Sequence, residues 1–473
     1  MTVDTSPAST SAAALPGPEW PAGLELIGLD TEVPLVDGHV VRAVDLDRAA
    51  TTPCLVAVKQ AVDELLPYYG APHRGAGYKS LVTTRAFEHA RHAVGRFVGA
   101  GDEHAVVFVR NTTEACNLLA SQLAGSCDVV VFDLEHHADL LPWRRLGAQV
   151  LPVPAGAAEL LEALSAAVAR RGRDDLVVAL TGISNVTGEV MPLAEAAAIV
   201  HDAGGRLFVD AAQLAPHLPI DMVATGIDFL ALSGHKLYAP FGSGALVGCR
   251  DWLERGEPML LGGGAPVLVT DETVVWKPVP DRLEAGTANV TGAIALGAAC
   301  DRLAAAGMST IAAIERGLVE RLDALLAAVP GLDRLLMLGE GHDHAGVACF
   351  TLSDLPHGLV AAALSAEHGI GVRSGCFCAH GLVRELMGIS RADAASVAQR
   401  LDCGESVPLP GAVRVSVGIG SSFEDLERLS SALQQLASGG PRWHYRQLSG
   451  DGPYEPDPDP RPVVALGGAA RSN

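Results

Sequence analysis

The feature that most constrains this chain is a regular alternation of short apolar runs with helical stretches, which begins near residue 104. The runs are rich in valine and occur at His104–Arg110, Asp128–Phe132, Leu176–Leu180, Arg206–Asp210, Phe229–Leu232 and Ala245–Gly248. Helical patterns such as Glu159–Arg170 and Ala194–Ala203 separate them. Such alternation is typical of βαβ units, whose strands form a mostly parallel sheet covered by helices. The sequence therefore predicts a large α/β domain over residues 45–295.

The segments on either side of this domain have a different character. Residues 1–20 are rich in Ser, Thr, Ala and Pro, and we expect them to be disordered. Two long helical patterns followed by scattered strands predict a smaller α+β domain over residues 296–437, and residues 21–44 are expected to pack with it. The Gly- and Pro-containing residues 438–473 have the composition of a flexible tail.

Composition excludes several classes of partner. The 473-residue chain has a formal net charge of −21 and no basic face, which argues against nucleic acid and anionic membranes. Its nine cysteines have no framework spacing and indicate free thiols in a reducing compartment. No secretory signal and no apolar run of ~18 residues is evident. We therefore expect a cytoplasmic protein.

One lysine occupies a position suited to cofactor chemistry. The chain has four lysines, and only Lys236 follows a strand that is predicted to be buried. Ligand sites of open α/β sheets lie at the carboxyl ends of strands, where a desolvated amine stays nucleophilic. Lys236 is thus a candidate for a Schiff base with pyridoxal phosphate (PLP), the alternative being a surface lysine after a strand.

Polar side chains at other strand ends suit the same cofactor. Asp210 would keep a pyridine nitrogen protonated and Gln213 would reach a phenolic oxygen, although Asp210 alone could be a helix cap. Thr112 and Thr113 begin a helix, where hydroxyl and N–H groups bind phosphate, and a Thr–Glu capping box is equally consistent. His136 would stack on a flat ring or shuttle protons; a metal ligand or no role are the alternatives.

Taken together, six ordered motifs over about residues 40–436 resemble class V, fold-type I PLP enzymes, and most closely the cysteine desulfurase and selenocysteine lyase group. They are Asn111-Thr112-Thr113-Glu114, Glu135-His136-His137-Ala138, Ser184-Asn185-Val186-Thr187-Gly188, Val209-Asp210-Ala211-Ala212-Gln213, Ser233-Gly234-His235-Lys236 and Glu284-Ala285-Gly286-Thr287. The resemblance implies a fold-type I architecture, with a mostly parallel seven-stranded sheet in the large domain and a smaller C-terminal α+β domain. It also implies a homodimer with shared active sites.

The resemblance assigns a role to each candidate site residue. Lys236 would carry PLP, Asp210 would pair with the pyridinium nitrogen, Gln213 would bind the phenolic oxygen, and His136 would stack on the ring. The phosphate contacts would be Thr112, Thr113, Ser233, His235 and, from the other subunit, Thr287. The substrate contacts would be Asn185, Arg414, Arg373 and His73, the last on a loop that reaches a neighbouring subunit's site in related enzymes. No metal site is expected.

A cysteine loop separates a desulfurase from its aminotransferase relatives. In Arg373-Ser374-Gly375-Cys376-Phe377-Cys378, the resemblance assigns the nucleophilic cysteine of group II desulfurases to Cys378. As a thiolate, Cys378 would attack the sulfur of bound L-cysteine and leave alanine and a persulfide. The Cys-Phe-Cys tract looks like that of the desulfurase domain in molybdenum cofactor sulfurases, and Cys376 would relay sulfur, form a disulfide or fill space.

Departures from the family pattern point to a divergent branch. A segment of about twenty residues, Ile389–Pro410, is inserted between Cys378 and Arg414, and its natural place is near the site entrance. From Lys236 and Cys378 we expect a cysteine desulfurase that passes its sulfur to an acceptor. Because the catalytic loop is short, the acceptor would have to dock near it. The alternatives are a PLP-dependent C–S lyase or selenocysteine lyase acting on a modified amino acid, and a protein that keeps the fold only for binding.

Overall fold

The computed structural model of the protein describes residues 17–170, 172–173, 175–448 and 452–464. Most of the N-terminal segment that we expect to be disordered, residues 1–16, and the end of the predicted tail, residues 465–473, lie outside this range. Among the described residues, no helix is both long enough and apolar enough to span a bilayer.

A seven-stranded sheet forms the centre of the described chain. Its strands are β4 (His104–Val109), β5 (Asp128–Phe132), β6 (Gln149–Leu151), β7 (Leu176–Thr181), β8 (Arg206–Asp210), β9 (Phe229–Ser233) and β10 (Gly244–Cys249). They are ordered β4-β10-β9-β8-β7-β5-β6, and only β10 runs antiparallel to its neighbours. This arrangement confirms the predicted α/β fold class, including the mostly parallel seven-stranded sheet.

Helices cover both faces of the sheet, because the crossover connections between its parallel strands are helical. Every residue of β7 and β9 is buried, which explains why these runs are continuously apolar instead of alternating. The helices are α1 (Val56–Leu65), α2 (Tyr78–Phe97), α3 (Thr112–Leu123), α4 (His137–Arg145), α5 (Ala157–Val168), α6 (Leu193–Asp202), α7 (Leu214–His217), α8 (Met222–Thr225), α9 (Arg250–Leu253) and α10 (Val290–Ala306). The predicted boundary at residues 295–296 lies inside α10, which packs against α1 and α2.

A smaller antiparallel sheet follows in the C-terminal part. Its strands, in spatial order, are β13 (Leu332–Arg334), β14 (Val347–Leu352), β17 (Ala412–Ser416) and β16 (Arg373–Gly375). The remaining helices are α11 (Met308–Ala327), α12 (His357–His368), α13 (His380–Leu386), α14 (Arg391–Asp402) and α15 (Phe423–Gly439). A separate core of buried aliphatic side chains joins this sheet to α11, α12 and α15, and each fully buried leucine there contributes roughly 1.5–3 kcal/mol.

The N-terminal segment is attached to the small sheet's side of the molecule. It contains β1 (Glu32–Pro34), β2 (Val40–Arg42) and β3 (Val44–Asp45), and β3 pairs in parallel with β15 (Ile370–Gly371). The Val36 N–H donates to the Ala366 carbonyl at 3.0 Å. These bonds place the residues just after β3 beside the C-terminal part of the chain.

The predicted flexible tail is wrong for the part that the structure describes. β18 (Tyr445–Gln447) and β19 (Tyr454–Pro456) form an antiparallel hairpin, which we call the C-terminal hairpin. Its base is fixed by the Glu367 carboxylate of α12, which accepts hydrogen bonds from the Trp443 N–H and the Tyr445 hydroxyl. A Gly- and Pro-rich composition did not indicate this contact because it depends on a residue more than seventy positions away.

The remaining described strands form a second hairpin, β11 (Pro266–Val269) with β12 (Val274–Trp276), which is mostly exposed. The inserted segment carries α14, none of whose residues is buried. Helix α2 begins at Tyr78, so Tyr78 and Lys79 lie in its first turn.

Candidate active site

A cavity of about 1110 Å³ lies where the carboxyl ends of the parallel strands meet the C-terminal part of the chain. Twelve of the fourteen predicted site residues line it: Thr112, Thr113, His136, Asn185, Asp210, Gln213, Ser233, His235, Lys236, Arg373, Cys378 and Arg414. Residues from five of the six motifs, together with Arg373, Cys378 and Arg414, therefore share one cavity, at the sheet edge where α/β proteins bind ligands.

Lys236 lies in a short 3₁₀ turn, Gly234–Lys236, immediately after β9. Desolvation lowers the pKa of Lys236 to about 8, against the opposing effect of Asp210. Gly234 is required in this turn, because a Cβ there would lie 2.6 Å from the Ser243 carbonyl oxygen. The turn thus holds a nucleophilic amine in the cavity, where a larger fraction of lysine is neutral than in water.

Asp210 ends β8, next to β9 in the sheet. It is buried, its Oδ1 accepts a hydrogen bond from the Ala212 N–H at 2.8 Å, and burial raises the pKa of its carboxyl group. Gln213 donates from Nε2 to the Ala49 carbonyl oxygen at 2.6 Å, while its buried Oε1 has no partner among the described residues. Both side chains therefore keep unused hydrogen-bonding capacity toward a polar ring.

The start of α3 forms the opposite wall of the cavity. Asn111 caps this helix by accepting from the Glu114 N–H at 3.0 Å, so the predicted Thr–Glu capping box is replaced by an Asn cap. The Thr112 N–H donates to the Ser233 hydroxyl oxygen at 2.8 Å, and the two hydroxyls lie 2.9 Å apart. Thr113 also lines the cavity. The hydroxyl groups and the N–H groups at the start of α3 can therefore bind an anion of the size of phosphate.

His136 also lines the cavity and caps α4, because its Nδ1 accepts from the Ala138 N–H at 3.0 Å. Burial, followed by the charge of Lys236, lowers the pKa of His136 to about 3. The imidazole is therefore neutral at physiological pH and presents a flat uncharged ring.

Two buried carboxyl groups behind Asp210 escaped the sequence analysis. Glu135 accepts from the Thr181 N–H at 3.0 Å, and Asp139 accepts from Trp143 Nε1 at 2.7 Å. Burial raises the pKa of Asp139 to about 8, with a further contribution from Asp210. Glu135 belongs to the motif Glu135-His136-His137-Ala138, but the motif gave it no role. The four-residue spacing between Glu135 and Asp139 was the signal that could have indicated the pair.

The Cys378 loop has an unusual backbone conformation. Phe377 and Cys378 both have left-handed φ values, 53° and 56°, which non-glycine residues rarely adopt. Three hydrogen bonds fix this turn: Asn185 Nδ2 to the Phe377 carbonyl at 2.8 Å, the His137 N–H to the Cys378 carbonyl at 2.7 Å, and the Ala379 N–H to the Cys376 carbonyl at 2.9 Å. The result is an exposed Cys378 that lines the same cavity as Lys236.

The second cysteine of the tract has different surroundings. Cys376 is partly buried, its Sγ donates to the Pro410 carbonyl oxygen at 2.7 Å, and burial raises the pKa of its thiol to about 11. Beyond the loop, His137 Nε2 and His380 Nδ1 lie 3.0 Å apart. Among the described residues, no three His, Cys, Asp or Glu side chains cluster as metal ligands.

Asp47 organises both predicted arginines and was missed by the sequence analysis. Arg373 donates from Nε and Nη2 to Asp47 Oδ2 at 3.0 and 2.8 Å, and Arg414 Nη2 donates to Oδ1 at 3.2 Å. Arg414 also donates to the Asn185 carbonyl oxygen at 2.9 Å. Asp47 belongs to none of the six motifs, so no sequence pattern indicated it.

Thr287 and His73 do not line the cavity of their own chain. Thr287 is exposed, and His73 Nε2 lies 2.8 Å from the Glu88 carboxylate and packs edge-on against Phe87. For these two residues, the described chain gives no contact with the site.

The residues at the cavity fit PLP. The desolvated Lys236 suits an aldehyde, and the buried Asp210 on the neighbouring strand suits a pyridine nitrogen. The buried Gln213 amide suits a phenolic oxygen, and the hydroxyl-rich start of α3 suits a phosphate. Each of these groups lies at the end of a different element, so the fold brings them together.

Comparison with known proteins agrees with this geometry. The family model described as "Aminotransferase class-V" matches residues 44–429. A cysteine desulfurase from Synechococcus elongatus is 33% identical over 408 residues, which are 83% of this chain and 60% of that protein. A probable cysteine desulfurase from Methanothermobacter thermautotrophicus is 32% identical over 421 residues, 86% of this chain and 97% of that protein. The chain thus spans only about three-fifths of the first relatives, which are longer.

Solved structures give the same result. The apo structure of a cysteine desulfurase from Thermococcus onnurineus has a TM-score of 0.74 at 30% identity, covering 88% of this chain and 100% of that chain. The cysteine desulfurase CsdA from Escherichia coli has a TM-score of 0.70, also at 30% identity, covering 83% and 94%. Since the family model spans most of the sequence and the Methanothermobacter relative is covered over 97% of its length, this chain belongs to the class-V aminotransferase family of PLP-dependent enzymes.

Proposed function

We propose that the protein is a cysteine desulfurase that converts L-cysteine to L-alanine and keeps the sulfur as a persulfide on Cys378. The observation that carries this proposal is the position of Cys378, an exposed thiol on a left-handed loop that lines the same cavity as Lys236. The relatives named cysteine desulfurases support it. A lysine alone fits every PLP reaction of the family, whereas a lysine and an exposed thiol in one cavity fit sulfur transfer.

Bound PLP supplies an electron sink for charge that develops on the substrate. Asp210 would keep the pyridine nitrogen protonated, and the neutral His136 ring would offer a flat surface without a positive charge. Thr112, Thr113, Ser233 and His235 would hold the phosphate. These residues orient the reacting atoms and exclude water from the buried end of the cavity.

The side chains of the small sheet orient the substrate. Arg414, held by Asp47 and by the Asn185 carbonyl oxygen, presents a guanidinium to the substrate carboxylate. Lys236 takes the proton from Cα, a task for which a pKa of about 8 suits it, because a neutral amine is needed near neutral pH.

Cys378 then completes the transfer as a thiolate. Its Sγ attacks the substrate sulfur, so that an S–S bond forms while the Cβ–S bond breaks. The electron pair of the broken bond stays with the amino acid, which takes up protons and leaves as alanine. Arg373 lines the same cavity as Cys378 and is paired with Asp47.

We also propose a homodimer in which Thr287 and His73 complete the partner's site. Neither residue reaches the cavity of its own chain. In the β11–β12 hairpin, Val267 is 67% exposed and Val269 is 61% exposed, and Leu261, just before the hairpin, is 73% exposed. Side chains this apolar are costly to leave in water, and they suit a surface that a second copy covers. Its test is complementation: inactive Lys236→Ala and Thr287→Ala chains should regain activity when mixed. A cytoplasmic location stays a prediction.

The products of L-cysteine test the main proposal. The purified protein with PLP should yield alanine and protein-bound sulfane sulfur in equal amounts. Cys378→Ser should abolish the bound sulfur, whereas Cys403→Ser, which removes the other exposed cysteine, should not. Formation of pyruvate and ammonia would instead support the C–S lyase, and unchanged sulfur release from Cys378→Ser would remove the persulfide step.

A further inference from the structure

The outer wall of the cavity contains segments that the proposed chemistry does not use. These are Pro356–Gly358 at the start of α12, Pro408–Pro410 from the inserted segment, and four residues of the C-terminal hairpin, Gln447, Gly452, Pro453 and Tyr454. We call these three segments the rim. The rim contains no Asp, Glu, Lys or Arg. The hairpin lies beyond residue 429, where the family match ends.

Direct contacts join the rim to the cysteine loop. Cys376 Sγ donates to the Pro410 carbonyl oxygen at 2.7 Å, and His357 Nε2 lies 3.4 Å from the Leu409 carbonyl oxygen. A Cβ added at Gly358 would lie 3.2 Å from Tyr454 Cδ2, so α12 and the hairpin are in close contact. The rim is therefore a continuous wall that runs from the nucleophile loop to the C-terminal hairpin.

The hairpin is fixed to the body of the protein. The Glu367 carboxylate accepts from the Arg442 N–H at 3.0 Å, from the Trp443 N–H at 3.1 Å and from the Tyr445 hydroxyl at 3.0 Å. Three donors on one carboxylate form a strong anchor, since hydrogen bonds to charged groups are worth about 1.5–3 kcal/mol each. The anchor lies on α12, outside the residues that line the cavity.

We propose that the rim selects the sulfur acceptor by size, so that low-molecular-weight thiols reach Cys378 and folded proteins do not. The acceptor role rests on the proposed desulfurase activity. In the transfer, an acceptor thiolate attacks the outer sulfur of the persulfide, a new S–S bond forms on the acceptor, and Cys378 leaves as a thiolate. This differs from the docking protein that the short catalytic loop suggests, because the rim lines the same cavity as Cys378 and contacts its loop at Cys376.

Access to Cys378 can be measured without turnover. The experiment uses a Cys403→Ser background, in which Cys378 is the remaining exposed cysteine. The alkylation rate of Cys378 is measured with N-ethylmaleimide and with a polyethylene-glycol maleimide. The two reagents have the same reactive group and differ in size. Tyr454→Ala removes part of the rim, and Glu367→Ala releases the hairpin from a distance. Glu455→Ala, which changes an exposed side chain of the same hairpin, is the matched control. Peptide mapping assigns the modified cysteine.

We expect Tyr454→Ala and Glu367→Ala to raise the alkylation rate of Cys378 by the polymer reagent about tenfold. This is the effect expected if the rim of the parent is open about a tenth of the time. The alkylation rate with N-ethylmaleimide should stay nearly unchanged. Glu455→Ala should behave like the parent. Equal size selectivity in the parent and both rim variants would overturn the proposal. If Glu367→Ala unfolds, Tyr454→Ala alone decides.

Sulfur transfer then tests the acceptor class. After loading with radiolabelled L-cysteine, the parent should pass label to free cysteine or glutathione. It should not release labelled sulfide to reduced thioredoxin, whose second thiol expels the transferred sulfur, and the rim variants should gain this release. Fast transfer to thioredoxin by the parent would overturn the proposal. Absence of any label on Cys378 would instead refute the desulfurase activity, while the alkylation result would still stand by itself.

Discussion

Replacing Lys236 by methionine is expected to stabilise the cofactor-free protein while abolishing its activity. Desolvation lowers the pKa of Lys236 from 10.5 to about 8. The folded protein therefore binds the lysine proton about 300-fold more weakly than the unfolded chain does, which corresponds to about 3 kcal/mol. Methionine has a similar shape and no charge to desolvate, so the variant avoids this cost.

The pH dependence distinguishes this cause from a general packing effect. Between pH 8 and 10.5 the unfolded parent chain binds more protons at Lys236 than the folded protein does, so the stability of the parent rises with pH relative to the variant. The advantage of Lys236→Met is thus expected to be about 3 kcal/mol at pH 7 and below about 1 kcal/mol at pH 10.

Urea denaturation of the cofactor-free proteins, followed by tryptophan fluorescence at pH 7 and pH 10, measures both values. Lys59→Met is the matched control, because Lys59 lies on the exposed face of α1 and its side chain is 53% accessible. The reasoning is refuted if Lys236→Met is less stable than the parent at pH 7, or if its advantage does not change with pH.

Three further outcomes are expected. Glu284→Gln should lower the free energy of unfolding by about 3 kcal/mol in thermal denaturation, because Glu284 is buried and binds both Nη atoms of Arg91. Gly381→Ala should displace the cysteine loop and reduce alanine formation, since a Cβ there would lie 2.1 Å from the Asp133 carbonyl oxygen; far-UV circular dichroism shows whether the fold survives. His136→Phe should lower turnover but leave the midpoints of its pH profile between pH 5 and 8 unchanged, because a pKa of about 3 keeps His136 neutral throughout that range.

The part of the site at the strand ends could be predicted from the sequence. Asp210 and Lys236 each follow a short apolar run, and parallel strands bring their carboxyl ends to one edge. The local pattern therefore fixes both the element and the end of it at which the side chain lies. No knowledge of distant contacts is needed for this inference.

The rest depends on contacts between distant segments. Asp47 binds Arg373 and Arg414 more than 300 positions away, and Glu367 anchors a hairpin whose composition suggested a flexible tail. Asp139 lies one helical turn beyond Glu135 but faces Asp210 only because α4 packs against the sheet. Such pairings leave no periodic signal in a single sequence.

The pairing of Asp47 with Arg414 also sets a time at which the site can first exist during synthesis. The two residues are 367 positions apart, and a ribosome adds ~5–20 residues per second, so roughly 20 to 70 s pass between their appearances. The strands that carry Asp210 and Lys236 emerge well before Cys378 and Arg414 do. A nascent chain therefore exposes its reactive lysine long before the thiol and the arginine that would direct the lysine's chemistry.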